Sequence, residues 1–325
     1  MTSEAIRAGG RVAERQVVPP EVRERNRKRA SRRNLGSALL FLSPWIVGFL
    51  VFTAWPMIYS AYLSLTDYDV INNPNFIGFE NYAQMMSDPK ILLALGNTAF
   101  FTLVQVPLYV IVSLVLALLL DRAGRSSGFF RTVFFLPKMT PPVAIGVLFL
   151  LLFNGQTGLV NTVLGWFGIN GPAWTTDPAW VKPGLIFMSL WTVGASVIIL
   201  LAALRNVPET LYESAKLDGA GFWRTSFSVT LPMISPALFF VIIVNTIAGL
   251  QTFDEAYTAF FGAGNTTYSN DAALFYVIYL FQQAFEFLNM GYASAMAWLL
   301  FLVIMIVTAI QLIVSRRFVY YEGDR

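Results

Sequence analysis

Six long apolar stretches constrain this chain more than any other feature. They run over 37–62, 96–120, 133–154, 183–204, 233–256 and 291–314, with no charge near their centres. Each comes close to the roughly 20 residues that a helix needs to cross a hydrocarbon core. Inside lipid a backbone has no water to bond, so a span of that length must satisfy its own N–H and C=O groups as a helix. The fold class expected is therefore all-α: a polytopic membrane protein of six transmembrane helices. The apolar character continues around each helix, so length and uncharged centres carry this reading rather than period. A seventh apolar stretch, Leu274–Phe287, is shorter and carries Gln282, Gln283 and Glu286. It reads as a helix lying at the membrane surface.

Charge then orients the spans. Ten Lys/Arg face four Glu over residues 1–36, whereas the rest of the chain is net acidic. With both termini cytoplasmic, 20 of the 22 basic residues fall on cytoplasmic segments and only Lys90 and Lys182 fall outside. This is the positive-inside pattern. The organisation expected is a basic cytoplasmic tail (1–36), a six-span domain (37–320) and a short cytoplasmic C-terminal tail (321–325). The tail is read as a topology anchor with some attraction for anionic lipid, and not as a signal peptide or a nucleic-acid site. The chain has no cysteine and no histidine. Thiolate metal sites and the commonest general base are thereby excluded.

The loop 205–232, between the fourth and fifth spans, is polar yet patterned. Asn206 with Glu209 three residues on reads as a capping box, with Pro208 in the first turn. Val207, Leu211 and Ala215 give one apolar face. Gly219 reads as the left-handed terminator of that helix. A second short helix follows with Trp223 and Phe227 on one face, and Leu231-Pro232 opens the fifth span. An ordered platform of this kind implies a protein or lipid partner.

Glu213-Ser214-Ala215, Asp218-Gly219-Ala220 and Thr230-Leu231-Pro232 together resemble the EAA motif of permease subunits of ABC importers. Ser214 stands where that motif carries a second alanine, and Phe227 falls one position later than its aromatic. The stretches Ile77–Tyr82, Arg131–Pro137, Asp254 and Phe285–Tyr292 also resemble the carbohydrate-uptake branch, over about residues 34–320. The resemblance implies that the two short helices are coupling helices that dock on a separate ATPase subunit. Glu213 would contact that subunit, and Ala215, Gly219 and Ala220 would permit close approach. Asp218 would fix the turn or pair with a basic group. The chain has no GxxxxGK[ST] phosphate loop. It therefore needs no cofactor of its own, and ATP with Mg would sit on the partner ATPase dimer. The other partners implied are a second permease subunit forming a heterodimer, an extracytoplasmic solute-binding protein and membrane lipid, with no nucleic acid. The location implied is a prokaryotic inner membrane.

Polar residues inside spans are costly and usually face protein or water. Three stripes qualify: Thr98, Thr102 and Gln105; Ser189, Thr192 and Ser196; Asn245, Gly249, Thr252 and Ala256. Neutral hydrogen-bonding groups beside aromatics such as Trp191 suit a sugar. Small polar residues also serve helix packing, so the larger Gln105 and Asn245 are preferred. The substrate-path candidates are Gln105, Thr192, Asn245, Thr252 and Asp254, and no catalytic or metal residue is expected. Asp254 and Glu255 read either as an interfacial pair or as a gate at the outer end of the fifth span. Trp residues in Gly171–Trp180 read equally as an interfacial belt or as a docking surface. Two other classes stay open. An ATP-independent secondary transporter would show inverted repeats. A membrane enzyme acting on lipid or sugar would have to join outer carboxylates such as Asp67 and Asp69 to Asp254 and Glu255.

Overall fold

The computed structural model describes residues 38–261 and 270–320. The expectations for the basic tail and for 321–325 lie outside the described residues. The chain divides into two units, 1–60 and 61–325. The described part of the first is most of helix α1, Ala38–Leu63, which has a π-helical turn at Leu50–Ala54 and is apolar throughout.

In the second unit a two-stranded antiparallel hairpin, Thr66–Asp67 with Asn75–Phe76, leads into α2 (Glu80–Ser87). Asp88 then caps α3, Pro89–Arg122, by accepting from the Lys90 backbone N–H at 2.9 Å. At 34 residues α3 is about 50 Å long, longer than the hydrocarbon core is thick. Next come α4 (Ser127–Phe135), continued by a tighter helical turn at Leu136–Met139, and α5 (Pro142–Leu152), bent by 98° from it at the break over 140–141. Pro141 and Pro142 at that break deny the helix its N–H donors. After α6 (Leu159–Trp166), helices α7 (Pro178–Leu190) and α8 (Gly194–Arg205) form a second bent pair at 51°. The platform helices α9 (Glu209–Leu217) and α10 (Phe222–Thr225) precede α11 (Leu231–Leu250) and α12 (Asp254–Phe260). Short α13 (Asn270–Ala273) and α14 (Tyr276–Phe281) lead to α15 (Met290–Ser315). Among the described residues four continuous helical segments are long and apolar enough to cross a membrane, and the count reaches six if each bent pair is one span.

Packing follows from where side chains are small. Gly194 begins α8 where a Cβ would strike the Phe134 carbonyl of α4, and Gly291 begins α15 against the Thr66 carbonyl. A Cβ at Gly249 would lie 3.1 Å from the Thr102 side chain, so α11 and α3 approach closely there. Apolar side chains such as Leu103, Ile111 and Ile313 remain on the outside. An apolar exterior of that extent belongs in lipid or against a partner.

Two sequence expectations change. Leu274–Phe287 does not lie on a surface over its first half, although Phe285 and Phe287 at its end are exposed. Tyr276 and Ile278 are fully buried, and the Tyr276 N–H donates to Thr98 Oγ1 at 2.9 Å. Asn97 Nδ2 donates to the Asp271 and Leu274 carbonyls at 2.7 and 3.0 Å. These bonds give unpaired backbone groups a partner away from water, which outweighs the segment's short length. The capping box is also absent. Asn206 closes α8, and α9 starts after Pro208 with no side-chain cap.

Candidate functional site

The helices of the second unit enclose a cavity of about 330 Å³. Its wall includes all five path candidates: Gln105 from α3, Thr192 between α7 and α8, Asn245 from α11, and Thr252 and Asp254 beyond it. Gly249 and Ala256 of the α11 stripe line it as well. The other two stripes divide. Thr98 and Thr102 are buried and bond along α3, where Thr98 also holds Tyr276, so they serve packing. Ser189 lines the cavity, whereas buried Ser196 does not. Trp191 is largely exposed and is not part of the wall; the aromatic side chains there are Phe101, Tyr109 and Phe253.

Gln105 is 6% exposed, and its Oε1 has no hydrogen-bond partner. An orphaned buried amide oxygen carries a cost of about 1–3 kcal/mol unless something else bonds it. The other polar groups of the wall spend their hydrogens on the backbone. Tyr109 Oη donates to the Thr192 carbonyl at 2.8 Å, and Thr192 Oγ1 to the Ser189 carbonyl at 2.9 Å. Asn245 Nδ2 donates to the Val241 carbonyl at 2.8 Å, and Thr252 Oγ1 to the Gly249 carbonyl at 2.9 Å.

Charge sits here too. Asp254 and Glu255 both line the cavity, Asp254 exposed and Glu255 half-buried. Lys138, counted from sequence as a cytoplasmic topology residue, lines it as well. The 98° bend between α4 and α5 carries Lys138 there, and sequence gives no warning of a break that sharp beyond Pro141-Pro142. Asp67 and Asp69 are not in the wall. Asp69 is taken up in the hairpin turn, where Asn72 backbone and side-chain bonds hold its carboxyl below the ordinary range.

The platform is built locally. Helix α9 ends at Gly219 with φ +71°, and the Ala220 N–H reaches back to the Ala215 carbonyl at 2.9 Å. Glycine adopts that left-handed conformation without penalty. Tyr212 Oη and Thr230 Oγ1, 3.2 Å apart, fasten α9 to the start of α11. Ala215 is buried against this support, and Ala220 is half-buried. Glu213, Ser214, Asp218 and Gly219 face outward. Leu217 is 89% exposed and stacked Trp223 and Phe227 are 71% and 64% exposed, so the platform presents apolar side chains to whatever lies beyond it. Leu217 went unnoticed in sequence because it belongs to no motif. Arg122 at the end of α3 stands over the Phe222 ring, 4.6 Å from its centroid, and Arg205 pairs with Asp121 at 3.6 Å.

At the end of α3 away from the platform, Asp88 Oδ2 accepts from Tyr279 Oη at 2.6 Å and Tyr292 Oη at 3.0 Å. Burial raises the Asp88 carboxyl, but the Tyr279, Lys90 and Tyr292 bonds outweigh it and leave it below its ordinary value. Burial, and then the Asp88 carboxylate, push the Tyr279 phenol up to about 12. The loop Gly171–Trp180 has a structural use. Trp174 is buried and its Nε1 donates to Asn161 Oδ1 at 2.8 Å.

Relatives agree with this architecture. The family described as "Binding-protein-dependent transport system inner membrane component" matches residues 109–320. A probable ABC transporter permease protein, YesP of Bacillus subtilis, is 36% identical, over 91% of this chain and 96% of that protein. The lactose transport system permease protein LacF of Rhizobium radiobacter is 35% identical, over 85% and 93%. The sulfoquinovosyl glycerol transport system permease protein SmoG of Agrobacterium fabrum is 33% identical, over 86% and 90%. A chain of a bacterial alginate ABC transporter, solved with an alginate pentasaccharide-bound periplasmic protein, shares the fold with a TM-score of 0.77. It is 23% identical, over 89% of this chain and 96% of that one. Matched over most of its length, the chain belongs to the family of binding-protein-dependent transport system inner membrane components, and is a multi-pass permease subunit.

Proposed function

We propose that this chain forms one half of the translocation path of an ATP-driven carbohydrate importer, switching by alternating access. The observation that carries the reading is the convergence of Gln105, Thr192, Asn245, Thr252 and Asp254 on one cavity, in a chain whose loop 205–232 presents an exposed platform. Relatives named for transport of lactose, sulfoquinovosyl glycerol and arabinooligosaccharides support a carbohydrate substrate. The six-span reading, with both termini cytoplasmic, puts the platform on the cytoplasmic side.

In this reading the platform docks on an ATPase dimer that holds ATP and Mg. Leu217, Trp223 and Phe227 enter the cleft of the partner, Glu213 makes a charged contact at its rim, and Ser214, Gly219 and Ala220 let the backbones approach, while Ala215 packs α9 onto its support. Asp218 holds the turn. Closing of the ATPase dimer moves α9 and α10, and Tyr212 and Arg122 pass that motion to α11 and α3, both of which carry cavity residues. A sister permease completes the path as a heterodimer, and an extracytoplasmic binding protein delivers substrate. The acidic residues split between a hairpin turn and the cavity speak against a membrane enzyme.

Co-purification tests the reading. The tagged chain, expressed with its neighbouring genes, is expected to retain an ATPase subunit and a second permease in mild detergent. Glu213→Lys and Gly219→Asp are expected to lose the ATPase and keep the permease. Retention of neither partner by the wild type would overturn the importer reading.

A further inference from the structure

The relatives include carriers of neutral and of acidic sugars, so family membership leaves the charge of the substrate open. The cavity wall bears on it. Ser189, Thr192, Thr252 and Asn245 have all donated to backbone carbonyls, at 2.7, 2.9, 2.9 and 2.8 Å. What the three hydroxyls still offer is an oxygen that accepts, and Asn245 offers its Oδ1 together with one remaining N–H. Gln105 adds a buried Oε1 with no partner, and Asp254 and Glu255 add four carboxylate oxygens. Donors left to the wall are few: the Lys138 ammonium, the amides of Gln105 and Gln251, and the second N–H of Asn245. Two carboxylates against one ammonium leave the wall net negative. No ion pair joins Lys138 to Asp254 or Glu255 among the described residues.

From this donor and acceptor balance we infer that this chain's wall of the path selects uncharged, hydroxyl-rich carbohydrate and rejects sugars that carry a carboxylate, sulfonate or phosphate. A neutral sugar brings many O–H donors, and each can end on one of the spare oxygens. An acidic group brings only acceptors and a charge of the wrong sign, so it meets repulsion without hydrogen bonds in exchange. In a site of intermediate dielectric a single like-charge contact is worth a discrimination of about tenfold or more. Lys138 does not reverse the balance, because the two carboxylates of the same wall outnumber it.

The inference rests on the carbohydrate reading above. The test uses the complete importer in liposomes, with its own binding protein, sister permease and ATPase subunits. Uptake of a neutral disaccharide is compared with that of the uronic disaccharide of the same linkage, across several linkages. The neutral sugar is expected to enter at least about tenfold faster wherever either enters. Because the binding protein is the same throughout, the permease contribution is read from variants. Asp254→Asn with Glu255→Gln should narrow the neutral-to-acidic ratio at least about threefold, and Lys138→Gln should widen it. These shifts have opposite sign, so a variant that merely misfolds cannot produce both. Should the paired substitution abolish all uptake, the Lys138→Gln ratio decides alone. Equal or faster entry of the acidic sugar, or a ratio that Lys138→Gln leaves unmoved, would overturn the inference. Entry of neither class for any linkage would instead overturn the carbohydrate reading, and this inference with it.

Discussion

The platform and the cavity are built on opposite plans. The platform runs through 28 consecutive positions, 205–232, and its bonds are local: Ala220 to Ala215, Gly219 to Lys216, Tyr212 beside Thr230. The cavity draws Gln105, Lys138, Ser189 and the Asn245–Glu255 run from four separate stretches of chain. One surface points outward and spends apolar side chains there. The other turns inward and keeps its unused oxygens. The difference teaches that a partner surface can be encoded as a contiguous motif, whereas a substrate path depends on bends and close approaches that bring distant residues into register.

That contrast can be broken or sharpened by substitution. The largest effect is expected where helices approach most closely. Gly194→Val places side-chain atoms against the Phe134 carbonyl, and overpacking of this kind typically costs about 1–3 kcal/mol or more. A lowered melting temperature and loss of monodisperse protein in detergent would register it. If Gly194→Val melts as the wild type does, the cavity is less dependent on close packing than described.

Asp88→Ala comes next. It removes the acceptor for two phenols, and the loss is expected to be about 1–2 kcal/mol after allowance for its partial exposure. Its folded-state carboxyl lies below the ordinary 3.8, so the stabilising contribution is complete above that value. It declines only as pH falls through the folded-state value. Melting of the wild type should therefore owe nothing to Asp88 titration between pH 5 and 8, and the Asp88→Ala deficit should shrink in acid below about pH 4. A deficit that shrinks already at pH 6 would contradict the assignment.

Gly219→Ala is a milder probe of the platform. A left-handed φ of +71° costs a side chain about 1–2 kcal/mol, taken locally. ATPase retention should fall while cavity-lining variants such as Gln105→Leu leave retention intact. Smallest of all is Arg122→Gln, where loss of an exposed cation–π contact of about 0.5–1 kcal/mol should change the ATP hydrolysed per sugar imported by two- to fivefold. A combined Arg122→Gln, Phe222→Leu variant should do no more than either alone.

Much of this was open to reading in the sequence, for identifiable reasons. The apolar stretches showed because length alone marks a span, and the Gly219 turn and the Trp223–Phe227 face showed because both are local. Gln105 and Asn245 stand out in sequence because large polar groups are costly inside a membrane, and both line the cavity. The place of Lys138 in the cavity wall is not legible in sequence, because it depends on a 98° bend, and a basic residue beside a span reads only as part of the positive-inside pattern. Leu274–Phe287 was misread because its burial depends on Asn97 and Thr98, about 177 residues away in the chain, capturing its backbone. Asn206 was taken for a helix start, whereas it ends the preceding helix; a capping residue beside a proline suits either role.

The central claim is that the cavity changes sides when the platform is driven. The chain has no cysteine, so a single one is a clean reporter. Ser189→Cys places a thiol in the cavity wall, and Leu217→Cys marks the platform side. The assembled importer in vesicles of each orientation is treated with a charged maleimide that does not cross the membrane, with and without vanadate-trapped nucleotide. The account expects Ser189→Cys to react from the side of Leu217→Cys at rest, and from the opposite side once nucleotide is trapped. Labelling from the same side in both states would contradict it.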